Sequence, residues 1–203
     1  MLTTLTLLAC HRPPPTPTAV PVRPTTATSL RSPASFASIA DPTARSRALF
    51  GEIARVLQHP RCANCHPSDD RPRQGMAMAV HEPPVWRGPE GHGEPAMHCS
   101  TCHGPENSTV SRVPGAPEWH LAPLEMGWIG RSPAAICAQI QDPDRNGGKS
   151  LEELHTHMAE DALVAWGWSP GADRPPAPGS QAELAALVQA WIDTGAACPE
   201  EPR

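Results

Sequence analysis

Aromatic side chains are scarce in this chain. Among 203 residues there is no tyrosine, there are two phenylalanines, and aromatics make up 4% of the composition. A domain so composed has little ring surface with which to fill a core. Long apolar runs are missing too. Nothing approaches 18 consecutive apolar residues, which excludes a transmembrane helix within this sequence. Positive charge is not concentrated anywhere, and the formal net charge is -5. That balance, without a basic run, argues against nucleic acid or another polyanion as partner. Regular structure should be sparse as well, because 27 residues are proline. The length allows one domain, or at most two small ones.

What is present is concentrated between residues 62 and 103. Cys62-Ala63-Asn64-Cys65-His66 and Cys99-Ser100-Thr101-Cys102-His103 both read C-x-x-C-H, the attachment motif of a c-type haem. Two thiols add across the two vinyl groups of one porphyrin, and the following histidine becomes the proximal axial ligand of the iron. Ten histidines in 203 residues make two such placements by chance a roughly one-in-four-hundred event. A four-cysteine zinc ribbon needs the cysteine pairs but neither histidine. A redox dithiol of the thioredoxin kind would need a βαβ pattern, which neither pair has around it. Two covalent haems are therefore expected, with Cys62, Cys65, Cys99 and Cys102 as attachment points and His66 and His103 as proximal ligands.

Three cysteines remain. Cys10 ends Leu7-Leu8-Ala9-Cys10, the form of a bacterial lipoprotein cleavage site, after an apolar run of Leu2, Leu5, Leu7 and Leu8. Nine residues are short for a signal peptide and none is Lys or Arg, so a start upstream of Met1 would suit the reading better. Lipidation at Cys10 would anchor the chain to a membrane and place it in the periplasm. Cys137 and Cys198 are then the last pair, and in that oxidising compartment a disulfide is the simplest outcome. Residues 11–40, rich in Pro, Thr and Ser, read as an extended tether, and residues 41–203 as the domain.

Four short helices are expected in that domain, which makes it mostly α and loop-rich. Asp41-Pro42 caps a helix over 43–58 with Leu49, Phe50, Ile53, Val56 and Leu57 on one face. Ser132-Pro133 starts a second, running to Gln141. A third spans 151–166, and a fourth runs from Ser180 to Thr194 with Leu184, Leu187, Val188, Trp191 and Ile192 inward. Residues 142–153 match an EF-hand calcium loop, with Asp142, Asp144, Asn146, Ser150 and Glu153 as oxygen donors and Gly147 at the turn. Lys149 stands where such loops place an apolar residue, however. A turn at Asn146-Gly147-Gly148 followed by a Ser150–Glu153 capping box is the preferred reading.

Distal ligands could come from the loops, where Met76, Met78, His81, His92, Met97 and His98 all fall between the motifs; His81 leads that set. His120 and Met126 follow as weaker candidates. On the third helix the wheel puts His155 at the edge of the inner face and His157 roughly 100° round. Arg87 could pair with a haem propionate or be a solvated surface residue.

Several further strings carry a resemblance: Arg87-Gly88-Pro89, Pro114-Gly115-Ala116-Pro117, Trp119-His120-Leu121-Ala122-Pro123, Asn146-Gly147-Gly148, Leu163-Val164-x-Trp166-Gly167-Trp168 and Gly195-Ala196-Ala197-Cys198-Pro199. With Cys62-x-x-Cys65-His66-Pro67 and the second haem motif, these strings make the chain resemble the small c-type cytochromes described as isoquinoline 1-oxidoreductase subunits. Those are electron-transfer companions of molybdenum-containing hydroxylases. The resemblance implies a haem protein that takes electrons from a partner oxidoreductase and binds no organic substrate itself, hence not an enzyme. It also favours His157 over His155 as a distal ligand. The family tends to place a Met shortly before Arg-Gly; here Pro83-Pro84-Val85-Trp86 occupies that region, which raises His81. A dihaem peroxidase with one open iron is the alternative, and an iron without a sixth ligand would be its sign.

Overall fold

The computed structural model describes residues 29–171 and 173–201. Cys10 and most of the stretch expected as a tether lie outside them. Helix α1, Pro42–Leu57, begins where Asp41 accepts a hydrogen bond from the Ala44 N–H at 2.8 Å and Pro42 takes a first-turn position. Its buried face is Leu49, Phe50, Ile53, Val56 and Leu57, the face expected from spacing. A short helix α2, Pro60–Ala63, follows at once. Beyond it the chain holds only a two-residue antiparallel ladder, β1 (Arg73–Gln74) against β2 (Ala79–Val80), and isolated 3-10 turns until residue 133.

Helix α3, Pro133–Gln141, is capped by Ser132, which accepts from the Ala135 N–H at 3.0 Å. Helix α6, Gln181–Asp193, is capped by Ser180. Between them the third expected helix is two. Helix α4, Leu151–Glu160, ends at Asp161, whose backbone is extended (φ -66°, ψ 130°). The Asp161 side chain accepts from the Leu163 and Val164 N–H groups and starts α5, Ala162–Ala165. An N-cap inside an uninterrupted apolar pattern thus divides what periodicity joined.

Helix α6 packs against both α1 and α4, and α3 packs against α1. Phe50 meets Trp191 with ring centroids 5.1 Å apart, and Leu187, Ile136 and Val56 are fully buried around them. Each aliphatic side chain so placed contributes about 1.5–3 kcal/mol through removal from water. The sulfurs of Cys137 on α3 and Cys198 beyond α6 are bonded, with their Cα atoms 5.6 Å apart.

The expected boundary at residue 41 is too late. Leu30 and Phe36 are buried in the same core as α1 and α6, Arg31 sits 4.1 Å over the Phe36 ring, and its backbone N–H donates to Glu52. Two apolar residues suffice to dock residues 29–40, although their composition reads as linker.

Candidate functional site

Each C-x-x-C-H segment is one helical turn. In the first, α2 carries Cys62, and the turn continues as Cys65 N–H donates to Cys62 C=O at 3.1 Å and His66 N–H to Ala63 C=O at 3.0 Å. In the second, the 3-10 turn Cys99–Thr101 leads to Cys102 and His103, whose N–H groups both donate to Cys99 C=O. A turn of this pitch brings residues three apart to one side. In each motif the two cysteines thereby sit three residues apart on one turn, and the histidine follows directly.

The motifs are neighbours. Ala122 N–H donates to Cys65 C=O, Leu121 N–H to Gly91 C=O and Cys99 N–H to His92 C=O, at 3.0, 3.0 and 2.8 Å. These bonds stitch both motifs to a shared strip of loop. Beside it opens a cavity of about 690 Å³ bordered by Cys65, Cys99, Cys102, His103, His81 and Trp119. Cys62 and His66 lie off this cavity, and Cys62 packs against the helical core. All four thiols are free. Withdrawal from solvent pushes Cys62 up to about 12 and Cys65 up to about 11, and raises Cys99 as well. A redox dithiol needs the opposite shift.

The two motif histidines share one arrangement. His66 Nδ1 lies 2.8 Å from Met126 C=O, and His103 Nδ1 lies 2.8 Å from Pro114 C=O. A carbonyl only accepts, so each Nδ1 carries the proton and each Nε2 keeps its lone pair. Burial pushes His66 down to about 3, and His157, Arg87 and His120 act in the same direction against the Met126 carbonyl. Burial lowers His103 too. Both rings are neutral at neutral pH, the form that ligates a metal.

His81 faces His103 across the cavity with ring centroids 5.9 Å apart and planes at 64°. Its Nδ1 is 3.0 Å from Pro83 C=O, which leaves Nε2 available. His157 on α4 belongs to the surroundings of His66 and has Nδ1 3.4 Å from an Asp161 carboxylate oxygen. His120 lines the cavity, with Nδ1 bonded to Glu118 C=O. Met126 reaches His66 through its carbonyl, while its side chain is buried in the helical core. His155 is half-buried on α4.

Arg87 is not a surface residue. It is buried, and its guanidinium donates to the carbonyls of Ala122, Pro67 and Asp69. It thereby ties the loop after the first motif to the strip that bridges both. A lysine has one point donor where the guanidinium has a planar fork. Arg87→Lys is expected to lower stability by about 1.5–3 kcal/mol, read from the urea midpoint of the mature protein.

Other cavity residues gave no sequence signal. Arg61, Arg73, Arg112 and Arg174 border the cavity, against Glu82 as the only carboxylate on its wall. Arg61 sits 5.7 Å over the Trp166 ring and donates to Pro175 C=O at 2.7 Å. Nothing local distinguishes these from surface arginines: Arg73 and Arg112 pair with the Asp69 and Asp173 carboxylates as exposed arginines commonly do.

Among the described residues, no three His, Cys, Asp or Glu side chains converge where they could hold a metal ion. The four-cysteine alternative therefore has no assembled site. In the loop 142–153, Asn146 Oδ1 accepts from Lys149 N–H while its Nδ2 donates to Ile140 and Lys149 carbonyls. Ser150 and Glu153 form the capping box. Asn146, Ser150 and Glu153, three of the five oxygen donors named for calcium, are thus engaged within the turn and its cap.

His59 caps α2, its Nδ1 accepting from Arg61 N–H at 3.2 Å. Burial and the Arg61 charge lower its pKa below the ordinary 6.5. The unfolded chain therefore takes the proton first, and the cap's contribution is present above pH 6.5 and lost as pH falls below it. His59→Asn keeps a capping acceptor without a proton to bind. Relative to the parent, it is expected to gain about 0.5–1 kcal/mol on going from pH 7.5 to pH 5, read from unfolding midpoints at both values.

No family model, curated protein or solved structure matches the chain.

Proposed function

We propose that the chain is an electron-transfer dihaem c-type cytochrome, lipid-anchored through Cys10 in the periplasm, that accepts electrons from a molybdenum-containing oxidoreductase. The observation that carries this reading is the repeated state of the motif histidines. Each follows a turn holding two free thiols, is neutral, and spends Nδ1 on a carbonyl so that Nε2 is free. A carbonyl on the far nitrogen is the support that metal-bound imidazoles use.

The chain's residues suit the group unevenly. At the second motif, Cys99, Cys102 and His103 border an open cavity with His81 opposite, and the cavity is of ligand-binding size. Trp119, Trp166 and Leu121 would supply apolar walls, and Arg61, Arg112 and Arg174 could meet propionates. At the first motif, Cys62, Cys65 and His66 would hold the second group, with His157 as distal ligand. There, buried Arg87 Nε and Asn64 Oδ1 lack partners, a donor that a propionate could meet and an acceptor that a water could satisfy. Bound haem supplies one-electron iron chemistry. The resemblance to isoquinoline 1-oxidoreductase subunits is what points to a molybdenum hydroxylase as donor.

A pyridine haemochrome assay with intact mass, on protein expressed alongside a cytochrome c maturation system, tests the reading. The expected result is two covalent haems with low-spin, six-coordinate spectra in both oxidation states. One high-spin iron would move the assignment to peroxidase chemistry, and zinc without haem would end it.

A further inference from the structure

We propose that Trp128 and Trp119 are positioning residues that fix the rotation of the His66 and His103 imidazoles, and through them the electronic state of each iron. The proposal rests on the dihaem reading. Trp128 lies parallel to His66, with ring centroids 3.4 Å apart and planes 5° apart. Trp119 lies parallel to His103 at 4.6 Å and 6°. The two motifs come from different loops, and each histidine nonetheless has the same two supports: a carbonyl on Nδ1 and an indole on one face.

The supports restrain different motions. A hydrogen bond in the ring plane fixes the direction in which Nδ1 points, while the ring can still rock about that contact. An indole in parallel contact resists the rocking, because tilting drives an edge of the imidazole into the larger ring. Together they fix the plane of the imidazole.

Each indole is itself held. Met126, Gly127 and Trp128 wrap His66: the Met126 carbonyl accepts from Nδ1, and Trp128 N–H donates back to His66 C=O at 2.8 Å. A Cβ on Gly127 would lie 2.8 Å from Ser68 Cα and 2.9 Å from Pro67 O, so only glycine lets this segment close on the first motif. Trp128 is buried, and its Nε1 is without a partner. A buried indole that makes no hydrogen bond is retained for its ring rather than for its N–H.

At the second motif, Trp166 meets Trp119 edge-on at 5.0 Å and 86°. Trp166 Nε1 donates to Asn107 Oδ1 at 2.9 Å, and the same oxygen accepts from Gly115 N–H. Gly115 follows Pro114, whose carbonyl holds His103 Nδ1. Asn107 thus anchors the aromatic support and the carbonyl support at once.

The plane of an axial imidazole sets how its π orbital overlaps the iron d orbitals. In a ferric low-spin haem this determines the g-values. The test is low-temperature EPR of the oxidised, fully matured protein as wild type, Trp128→Phe, Trp128→Leu, Trp119→Phe and Trp119→Leu, with haemochrome stoichiometry for each. Phenylalanine keeps an aromatic ring while removing the N–H and one ring of the indole; leucine removes the aromatic face altogether. The expected result is two low-spin signals in the wild type. Each leucine variant shifts and broadens one of them, a different one for Trp128 and Trp119, and the phenylalanine variants retain the wild-type positions. Unmoved signals in both leucine variants at two haems per chain would overturn the proposal, as would phenylalanine variants that shift as far as leucine. If a leucine variant does not accumulate, Trp→Met at that position fills the volume without a ring and is read in the same way. A wild-type protein without two covalent haems would sink the underlying reading instead, an outcome that the stoichiometry separates from the others.

Discussion

Matured in the same system, the double variant Cys99→Ser/Cys102→Ser is expected to retain one covalent haem in place of two. Serine cannot form the thioether, and the second motif borders an open cavity. Cys62→Ser/Cys65→Ser should also stop at one haem. The two variants should differ in a second respect. Cys62 lies in α2, which follows α1 directly, and it packs against the helical core. The second motif sits in a 3-10 turn between loops. Loss of the first haem should therefore lower the yield of folded protein more than loss of the second. Intact mass gives the haem count and the urea midpoint gives the difference. Two haems on either variant, or none on both, would contradict independent attachment at the two motifs.

The starts of the long helices were legible in the sequence from their capping residues, two of them followed by a proline. Asp41-Pro42 and Ser132-Pro133 start α1 and α3, and Ser180 starts α6. Asp161 was missed because it interrupts the backbone without interrupting the apolar pattern. The docking of residues 29–40 was hidden similarly, since Leu30 and Phe36 are too few to shift a composition that is mostly Ser, Pro and Ala.

The candidate site divides along another line. Residues whose chemistry is written in their own spacing, the two C-x-x-C-H motifs, could be read directly. Residues whose role depends on a backbone carbonyl could not, because every residue has a carbonyl and none advertises it. Arg87, for which solvent was one reading, is buried and donates to three carbonyls. The helical wheel preferred His155 because it measures distance from the Leu154–Met158 face, which packs with α6. His157, not His155, is one of the charges that act on His66. Periodicity finds the core of a helix, and a site beside the core needs another signal.

Reduction of the Cys137–Cys198 bond is expected to lower stability by about 4 kcal/mol. The bond joins residues 61 apart in sequence, a separation that takes in α4, α5 and α6. Closing so long a loop removes many conformations from the unfolded chain. The folded state adds little that would survive without the bond. The segment after α6 is held by the Ala197 N–H donating to Ser46 Oγ and by Gln141 Nε2 donating to Ala196 C=O, at 2.8 and 2.7 Å. Trp191 Nε1 donates to Ala197 C=O at 3.1 Å. These contacts order residues 196–197 locally, and each contributes only about 1 kcal/mol. They are too few to replace the constraint on the unfolded ensemble. Cys137→Ser/Cys198→Ser and parent protein treated with a thiol reductant should therefore show the same lowered urea midpoint, and the reductant should not lower that of the variant further. The haem count should stay at two in both, because neither cysteine belongs to a motif. A midpoint unchanged by reduction would mean that the unfolded chain is already compact between α3 and the C-terminal segment. A fall in haem count would place the disulfide's effect in maturation rather than in the finished fold.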